Sequence, residues 1–249
     1  MSTNTSNERH VLVTGGAIRV GRAIAMALAK AGHHVAIHCG TSTEAAEQTA
    51  AEIRSLGGRS DWFSADLGDP KETKQIIARA RKALDAPIDF LVNSAALYLD
   101  GNLAETSLDD WELQHAVNLR APFLITQAFA AQPELTRELD PVLLNILDAR
   151  SNRAGDDHFA YRVTKAGLEA MTKNLALDLA PTIRVNGLAL GAIMPPPGKG
   201  QDHLDRIAKN RVPMKQSGTP EMIGGAAVYL ASQPFITGTV IDIDGGEFL

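Results

Sequence analysis

Cysteine is nearly absent from this chain, aromatic rings are scarce, and neither sign of charge dominates. One cysteine in 249 residues, Cys39, excludes an intramolecular disulfide and fits a reducing compartment. Lysine and arginine total 24 against 29 aspartates and glutamates, a net of −5. No basic run stands out, which argues against nucleic acid or an anionic membrane as partner. No apolar run approaches the roughly 20 residues of a membrane helix. The first ten residues, MSTNTSNERH, carry no apolar signal region. With 45% hydrophobic residues the chain can still pack a core, and at this length it needs no disulfide or metal staple. These absences lead to the expectation of a cytoplasmic protein whose partner is a small molecule.

What is present is a regular alternation. Short apolar runs at residues 10–14, 34–39, 60–65, 88–92, 142–147, 183–188 and 240–243 read as strands. Helical patterns fall at 20–31, 43–56, 107–131 and 158–179, with another opening at Thr219-Pro220-Glu221. Asp69-Pro70-Lys71-Glu72 adds a helix start: a capping residue, proline at the first helical position and glutamate at the third. The alternation predicts one α/β domain over 1–249, a Rossmann-type doubly wound fold whose seven-stranded parallel sheet is covered by helices on both faces. Residues 1–9 are expected to be flexible. Residues 190–218 read as one long irregular stretch, which points to a substrate loop. Within it, Met194-Pro195-Pro196-Pro197-Gly198 is either a stiff wall of a site or a polyproline connector.

Between the first strand and first helix stands Thr14-Gly15-Gly16-Ala17-Ile18-Arg19-Val20-Gly21. Glycines there let backbone amides approach a phosphate at the positive end of a helix, so Gly15, Arg19, Val20 and Gly21 are cofactor candidates. An NAD-selective site wants an acid at the end of strand two. That end reads His38-Cys39-Gly40-Thr41-Ser42, with no carboxylate before Glu44. Arg19 supplies a guanidinium and Ser42 a hydroxyl, a set that attracts a 2′-phosphate and favours NADPH, with His38 and Ser42 as contacts. His33, His34 and His38 lie without a convergent cysteine or carboxylate cluster, so no metal is expected. Cys39 reads as a buried filler.

Tyr161 and Lys165 are four residues apart on the helix after strand five and share one face. A phenol is a poor acid–base catalyst at neutral pH, and a nearby ammonium is expected to lower its pKa. With these pieces in order the chain resembles the short-chain dehydrogenase/reductase family over nearly its whole length. The matching residues are 14–21, Ala65-Asp66-Leu67, Asn93-Ser94-Ala95-Ala96, Asn118, Tyr161 with Lys165, and Asp244-Gly245-Gly246. The resemblance implies that Asp66 and Leu67 flank an adenine, and that Asn93, Ala95, Gly191 and Ile193 line the cofactor groove. It further implies that Asn118 interrupts its helix and holds a water in a relay to Lys165, and that Lys165 binds the nicotinamide ribose. A homotetramer is also expected.

Three departures mark a branch. The family's middle glycine is Arg19, its Pro-Gly after strand six is Leu190-Gly191, and its serine thirteen residues before the tyrosine is Asp148. A carboxylate beside a phenol competes for a proton, and such a pair can hold and deliver one to a C=N nitrogen as hydride reaches carbon. Arg19 with Asp148 is similar to the pteridine reductases, including the dihydromonapterin reductases. In them an aromatic ring past strand four sandwiches the pterin, and Tyr98 stands there. Arg19 could also meet the pterin, while Ala96 replaces a serine that relatives often use. The expectation is therefore an NADPH-dependent reductase of a dihydropterin or dihydrofolate, with Asp148, Tyr161, Lys165 and Asn118 catalytic. Arg19, Tyr98, Asp148 and Tyr161 are its substrate contacts. Alternatives are a carbonyl reductase of the same family, acting on a 3-oxoacyl thioester or sugar, and a non-catalytic NADPH-binding sensor. The sensor has no need of a tuned phenol. Arg150, Arg153 and His158 either rim the substrate entrance or belong to a solvated loop, and the solvated loop is the reading preferred here.

Overall fold

A computed structural model describes residues 8–151 and 153–249. Strands β1 (His10–Thr14), β2 (His34–Cys39), β3 (Ser60–Ser64), β4 (Phe90–Asn93), β5 (Val142–Asp148), β6 (Arg184–Leu190) and β7 (Val240–Ile243) form one parallel sheet. Their order is β3-β2-β1-β4-β5-β6-β7. The helices are α1 (Arg19–Lys30), α2 (Thr43–Ser55), the single turn α3 (Pro70–Thr73), α4 (Ile76–Leu84), α5 (Leu108–His115), α6 (Ala121–Ala130), α7 (Phe159–Asp178), α8 (Gln201–Arg211) and α9 (Pro220–Ala231). The seven expected strands are all present, with ends shifted by a residue or two.

Side-chain alternation along β1 divides the core. Val11 and Val13 face one layer with Ile24 and Leu28 of α1 and Ile223 of α9. Leu12 faces the other, with Ile76 of α4 and Ile125 and Phe129 of α6. All of these are fully buried, so the sheet has no solvated face along β1. Caps agree with the sequence: Asp69 accepts from the Lys71 amide and Ser107 from that of Asp110. Strand order reverses between β1 and β4, which opens a crevice at the carboxyl ends of the strands.

One expectation needs correction. Residues 190–218 are not irregular throughout, because α8 lies inside them. Leu204, Ile207 and Ala208 recur at helical spacing, with Leu204 and Ala208 buried, but flanking proline and glycine signals hid the period. The helix spanning 107–131 is present, and Ala116–Arg120 forms a π-helical turn inside it, the interruption at Asn118 that the resemblance implied.

Of residues 1–9, the first seven lie outside the described residues. Arg9 is buried and donates to the Asp140 carbonyl at 2.8 Å and its carboxylate at 3.0 Å. Cys39 is a buried free thiol. Among the described residues no helix is long and apolar enough to cross a membrane.

Candidate active site

A cavity of about 860 Å³ runs along the carboxyl ends of the strands. One end is built from the glycine turn. Gly15 has φ of +64°, and a Cβ there would stand 2.9 Å from the Ala95 Cα. A Cβ on Gly21 would stand 2.1 Å from the Gly15 carbonyl oxygen, so both positions require glycine. Thr14 Oγ1 accepts the amides of Ser94 and Ala95 at 3.0 and 3.1 Å, locking the turn to the segment after β4.

His38 holds this turn from below. Its Nδ1 accepts from the Gly15 amide at 3.3 Å, and its carbonyl accepts from the Gly16 amide at 3.0 Å. Its Nε2 lies 3.1 Å from the Ala65 carbonyl. Burial lowers the imidazole pKa to about 4, so the ring is neutral, with Nδ1 as acceptor and Nε2–H as donor.

The turn fits the phosphates of a dinucleotide. The first turn of α1 holds no acid, and its N-cap Ile18 offers no side-chain cap. Val20 and Ser42 line this end, with Asp66 and Leu67 beyond them. Ala95, Gly191 and Ile193 line the middle.

Arg19 has φ of +53°, a left-handed position where a glycine would carry no strain. Its Nη2 donates to the Pro195 carbonyl at 2.7 Å. The guanidinium therefore ties the glycine turn to the proline segment after β6. Asn93, expected to line the cofactor groove, and Asn118, expected in a proton relay, both lie behind the wall. Asn93 is buried and donates to Asn145 Oδ1 at 2.9 Å, cross-linking β4 to β5. Asn118, in the π-helical turn, accepts from the Leu97 amide at 2.8 Å and donates to the Leu97 carbonyl at 2.9 Å and Thr164 Oγ1 at 3.2 Å. It clamps the segment before Tyr98 onto α7.

At the other end the structure gathers Tyr98, Asp148, Tyr161 and Lys165 on the same cavity. Tyr161 Oη donates to Asp148 Oδ2 at 3.2 Å. Lys165 Nζ donates to the Ile146 carbonyl at 2.7 Å and lies 5.7 Å from the Tyr161 ring centre. The expected effect of the ammonium on the phenol is overturned. Burial and the Asp148 charge push the Tyr161 pKa well above 10, with Arg150 opposing them. Burial also lowers the lysine pKa to about 8, against the attraction of Asp148.

For Arg150 the structure favours the rim of the cavity over the solvated loop. The residue donates to Asp148 through its amide (2.8 Å), Nε (3.0 Å) and Nη2 (3.1 Å). The same Nη2 reaches the Tyr98 hydroxyl at 3.2 Å. His158 is likewise ordered, stacking on the Tyr98 ring at 4.0 Å between centres and donating through Nδ1 to the Leu99 carbonyl at 2.9 Å. Tyr98 then meets Tyr161 edge-on at 4.7 Å. The two-residue spacing of Asp148 and Arg150 was the available signal; the partner Tyr98 lies 52 residues away. His33 and His34 accept backbone amides of Arg9 and Arg59. Among the described residues no group of three or more His, Cys, Asp or Glu is placed to hold a metal ion.

A family model described as enoyl-(acyl carrier protein) reductase matches residues 16–247. The chain is 33% identical to an uncharacterized oxidoreductase of Mycobacterium tuberculosis, over 96% of this chain and 92% of the relative. It is 30% identical to a 3-oxoacyl-[acyl-carrier-protein] reductase of Synechocystis, over 94% and 95% respectively. Among solved structures it is similar to FolM alternative dihydrofolate reductase 1 of Brucella canis, complexed with NADP. That match has a TM-score of 0.86 and 33% identity, and it covers 95% of this chain and 93% of the other.

Proposed function

Because the chain belongs to the short-chain dehydrogenase/reductase family, we propose that it is an NADPH-dependent reductase of a pterin ring, acting on the C=N bond of a dihydropterin or dihydrofolate. The observation that carries this reading is the hydrogen bond from Tyr161 Oη to Asp148 Oδ2 inside the cavity. Similarity to a FolM alternative dihydrofolate reductase supports it.

The cofactor is NADPH, consistent with NADP in related structures and with the absence of an acid at the end of β2. When bound, it supplies the hydride. The amides around Gly15 and the start of α1 receive its pyrophosphate, while Ser42 stands toward the 2′-phosphate. Lys165 holds the ribose beside Tyr161. Tyr161 gives its proton to the ring nitrogen as the neighbouring carbon gains hydride. The phenolate left behind sits between an aspartate and two cations, Arg150 and Lys165. Those cations offset the charge that burial and Asp148 would otherwise make costly. Tyr98, with its hydroxyl fixed by Arg150, borders the substrate ring, and the segment 190–218 with α8 closes over it. The homotetramer expected from the resemblance belongs to this reading, and light scattering tests it.

A ketoreductase reading is favoured by one finding, the curated 3-oxoacyl-[acyl-carrier-protein] reductases at 29–30% identity. NADPH consumption with 7,8-dihydrobiopterin and dihydromonapterin, beside a ketone panel, separates the two. Turnover of the pterins and its loss in Asp148→Ser are expected. Turnover of ketones alone overturns the assignment.

A further inference from the structure

His158 meets the active-site cavity through another side chain. Tyr98 lines that cavity, and His158 is not among the described residues of its wall. The imidazole stacks on the Tyr98 ring with centres 4.0 Å apart and planes 28° from parallel. It therefore covers one face of that ring from behind the wall. A substrate ring that stacks on Tyr98 has only the other face to use.

The backbone places the imidazole at a cost. His158 precedes α7 with φ of +47° and ψ of +46°, a left-handed conformation that a residue with a Cβ adopts under strain. The turn is held from both sides. Arg162 Nε donates to the Asp157 carbonyl at 2.9 Å and to its carboxylate at 2.8 Å. The Phe159 amide donates to the Gly101 carbonyl at 2.8 Å, and the Phe159 ring stacks toward Trp111 of α5 at 6.0 Å between centres. A glycine at 158 would make the same turn without strain but would bring no ring. Strain that the surroundings hold in place beside a site points to a use for the side chain that bears it.

That use is legible in what the imidazole fixes. Nδ1 donates to the Leu99 carbonyl at 2.9 Å, so Leu99 and Gly101 are both pinned to the start of α7. Tyr161 lies three residues further along the same helix. One helix end thus carries the phenol of the active site and backs the ring beside it, and the two tyrosine rings stand 4.7 Å apart at 83°. Arg150 holds the Tyr98 hydroxyl at 3.2 Å, but the hydroxyl lies on the axis about which the ring turns. A bond there leaves the plane of the ring free. The stacked imidazole fixes the plane.

Resting on the pterin reading above, we infer that His158 is a positioning residue: it presets the plane of Tyr98 against Tyr161 before substrate arrives. It touches none of the reacting atoms. Its contribution is to the binding of a flat ring, because a wall ordered in advance removes that ordering from the cost of association.

The test reads kcat and KM separately for 7,8-dihydrobiopterin in wild type, His158→Asn and His158→Phe, each with and without Tyr98→Leu. Asparagine accepts the left-handed turn and removes the ring, whereas phenylalanine keeps a ring and loses the bond to Leu99. His158→Asn should raise KM roughly 3- to 10-fold, the scale of one aromatic stack, with kcat and NADPH affinity little changed. His158→Gly, free of the strain, should do the same. His158→Phe should bring KM most of the way back. In the Tyr98→Leu background His158→Asn should raise KM no further. A KM that is unchanged in His158→Asn, that stays high in His158→Phe, or that rises equally without Tyr98 overturns the positioning role and leaves the pterin reading standing. So does a loss of NADPH affinity equal to the loss in KM. A wild-type enzyme that reduces no dihydropterin overturns the pterin reading, and this inference with it.

Discussion

Four side chains at one end of the cavity share their charges so closely that none can be changed alone. Asp148 accepts three hydrogen bonds from Arg150 and one from Tyr161. Removing the guanidinium leaves a largely buried carboxylate without its counter-ion, a change that commonly costs about 3–5 kcal/mol where the pair is fully buried. Arg150→Met should therefore lower kcat/KM for the pterin by roughly 100-fold. Arg150→Lys should restore only part of it, because a point charge cannot reproduce the fork. Equal activity in wild type and Arg150→Met would remove Arg150 from the mechanism. The pH profile is set by a different member. Tyr161 keeps its proton far beyond neutrality, whereas Lys165 loses its own as pH rises through about 8. Above that pH the phenolate formed in the reaction loses one of its two stabilising cations. The rate should accordingly fall along an alkaline limb centred near pH 8, and Lys165→Arg should abolish that limb while lowering the plateau. A limb that stays in place in Lys165→Arg would assign it to another group.

At the scale of elements, the π-helical turn at Ala116–Arg120 is an interruption that the apolar period hides and that only the family resemblance implied, at Asn118. It is flanked by good helix on both sides, and residues 107–131 are read correctly as one helical span because the apolar period barely drifts across one extra residue. Its consequence is local: the turn carries Asn118, whose side chain bonds both backbone groups of Leu97 and the Thr164 hydroxyl. Tyr98 is the next residue after Leu97, so this clamp sets where the ring stands. Asn118→Ala deletes three hydrogen bonds and leaves a largely buried amide and carbonyl unpaired, a loss on the order of 2–3 kcal/mol. The midpoint of thermal unfolding should drop by roughly 4–12 °C, and the pterin KM should rise more than the NADPH affinity falls. A change in stability with KM untouched would make the clamp purely structural. The strands were legible because each is a short apolar run bounded by glycine, proline or a cap, and Tyr161 with Lys165 because helical spacing alone aligns them. Arg150 and α8 were not. Arg150 acquires its role from Tyr98, far away in sequence, and the period of α8 is masked by the prolines before it and the turn residues after it.

The whole molecule carries a net charge of −5 and, on this reading, binds an anion, so affinity rests on amides and on a few cations turned inward. Burial has a second global consequence through groups remote from the chemistry. His38 keeps a pKa of about 4, against 6.5 when unfolded. As pH falls from 6.5 to 4 the unfolded chain takes up a proton there and the folded one does not, which costs about 3 kcal/mol of stability. His33, lowered to about 4 mainly by burial, acts in the same direction but is more open to solvent and contributes less. Asp89, at the start of β4, acts in the opposite sense. Burial raises its pKa to about 7, so the folded chain holds a proton that the unfolded chain releases above pH 3.8, and stability is lost as pH rises through that window. The terms oppose one another between pH 4 and 6.5, which should leave the stability of the protein only weakly dependent on pH there. Asp89→Asn supplies a neutral side chain that can still accept from the His10 amide, as Asp89 does at 3.0 Å. In urea unfolding the variant should match wild type near pH 4 and exceed it by a few kcal/mol at pH 7.5. Its stability should then fall steeply on acidification below pH 6.5, since the histidines act unopposed. An equal difference between the two proteins at both pH values would mean that Asp89 is ionised in the fold, and the balance would rest on other groups.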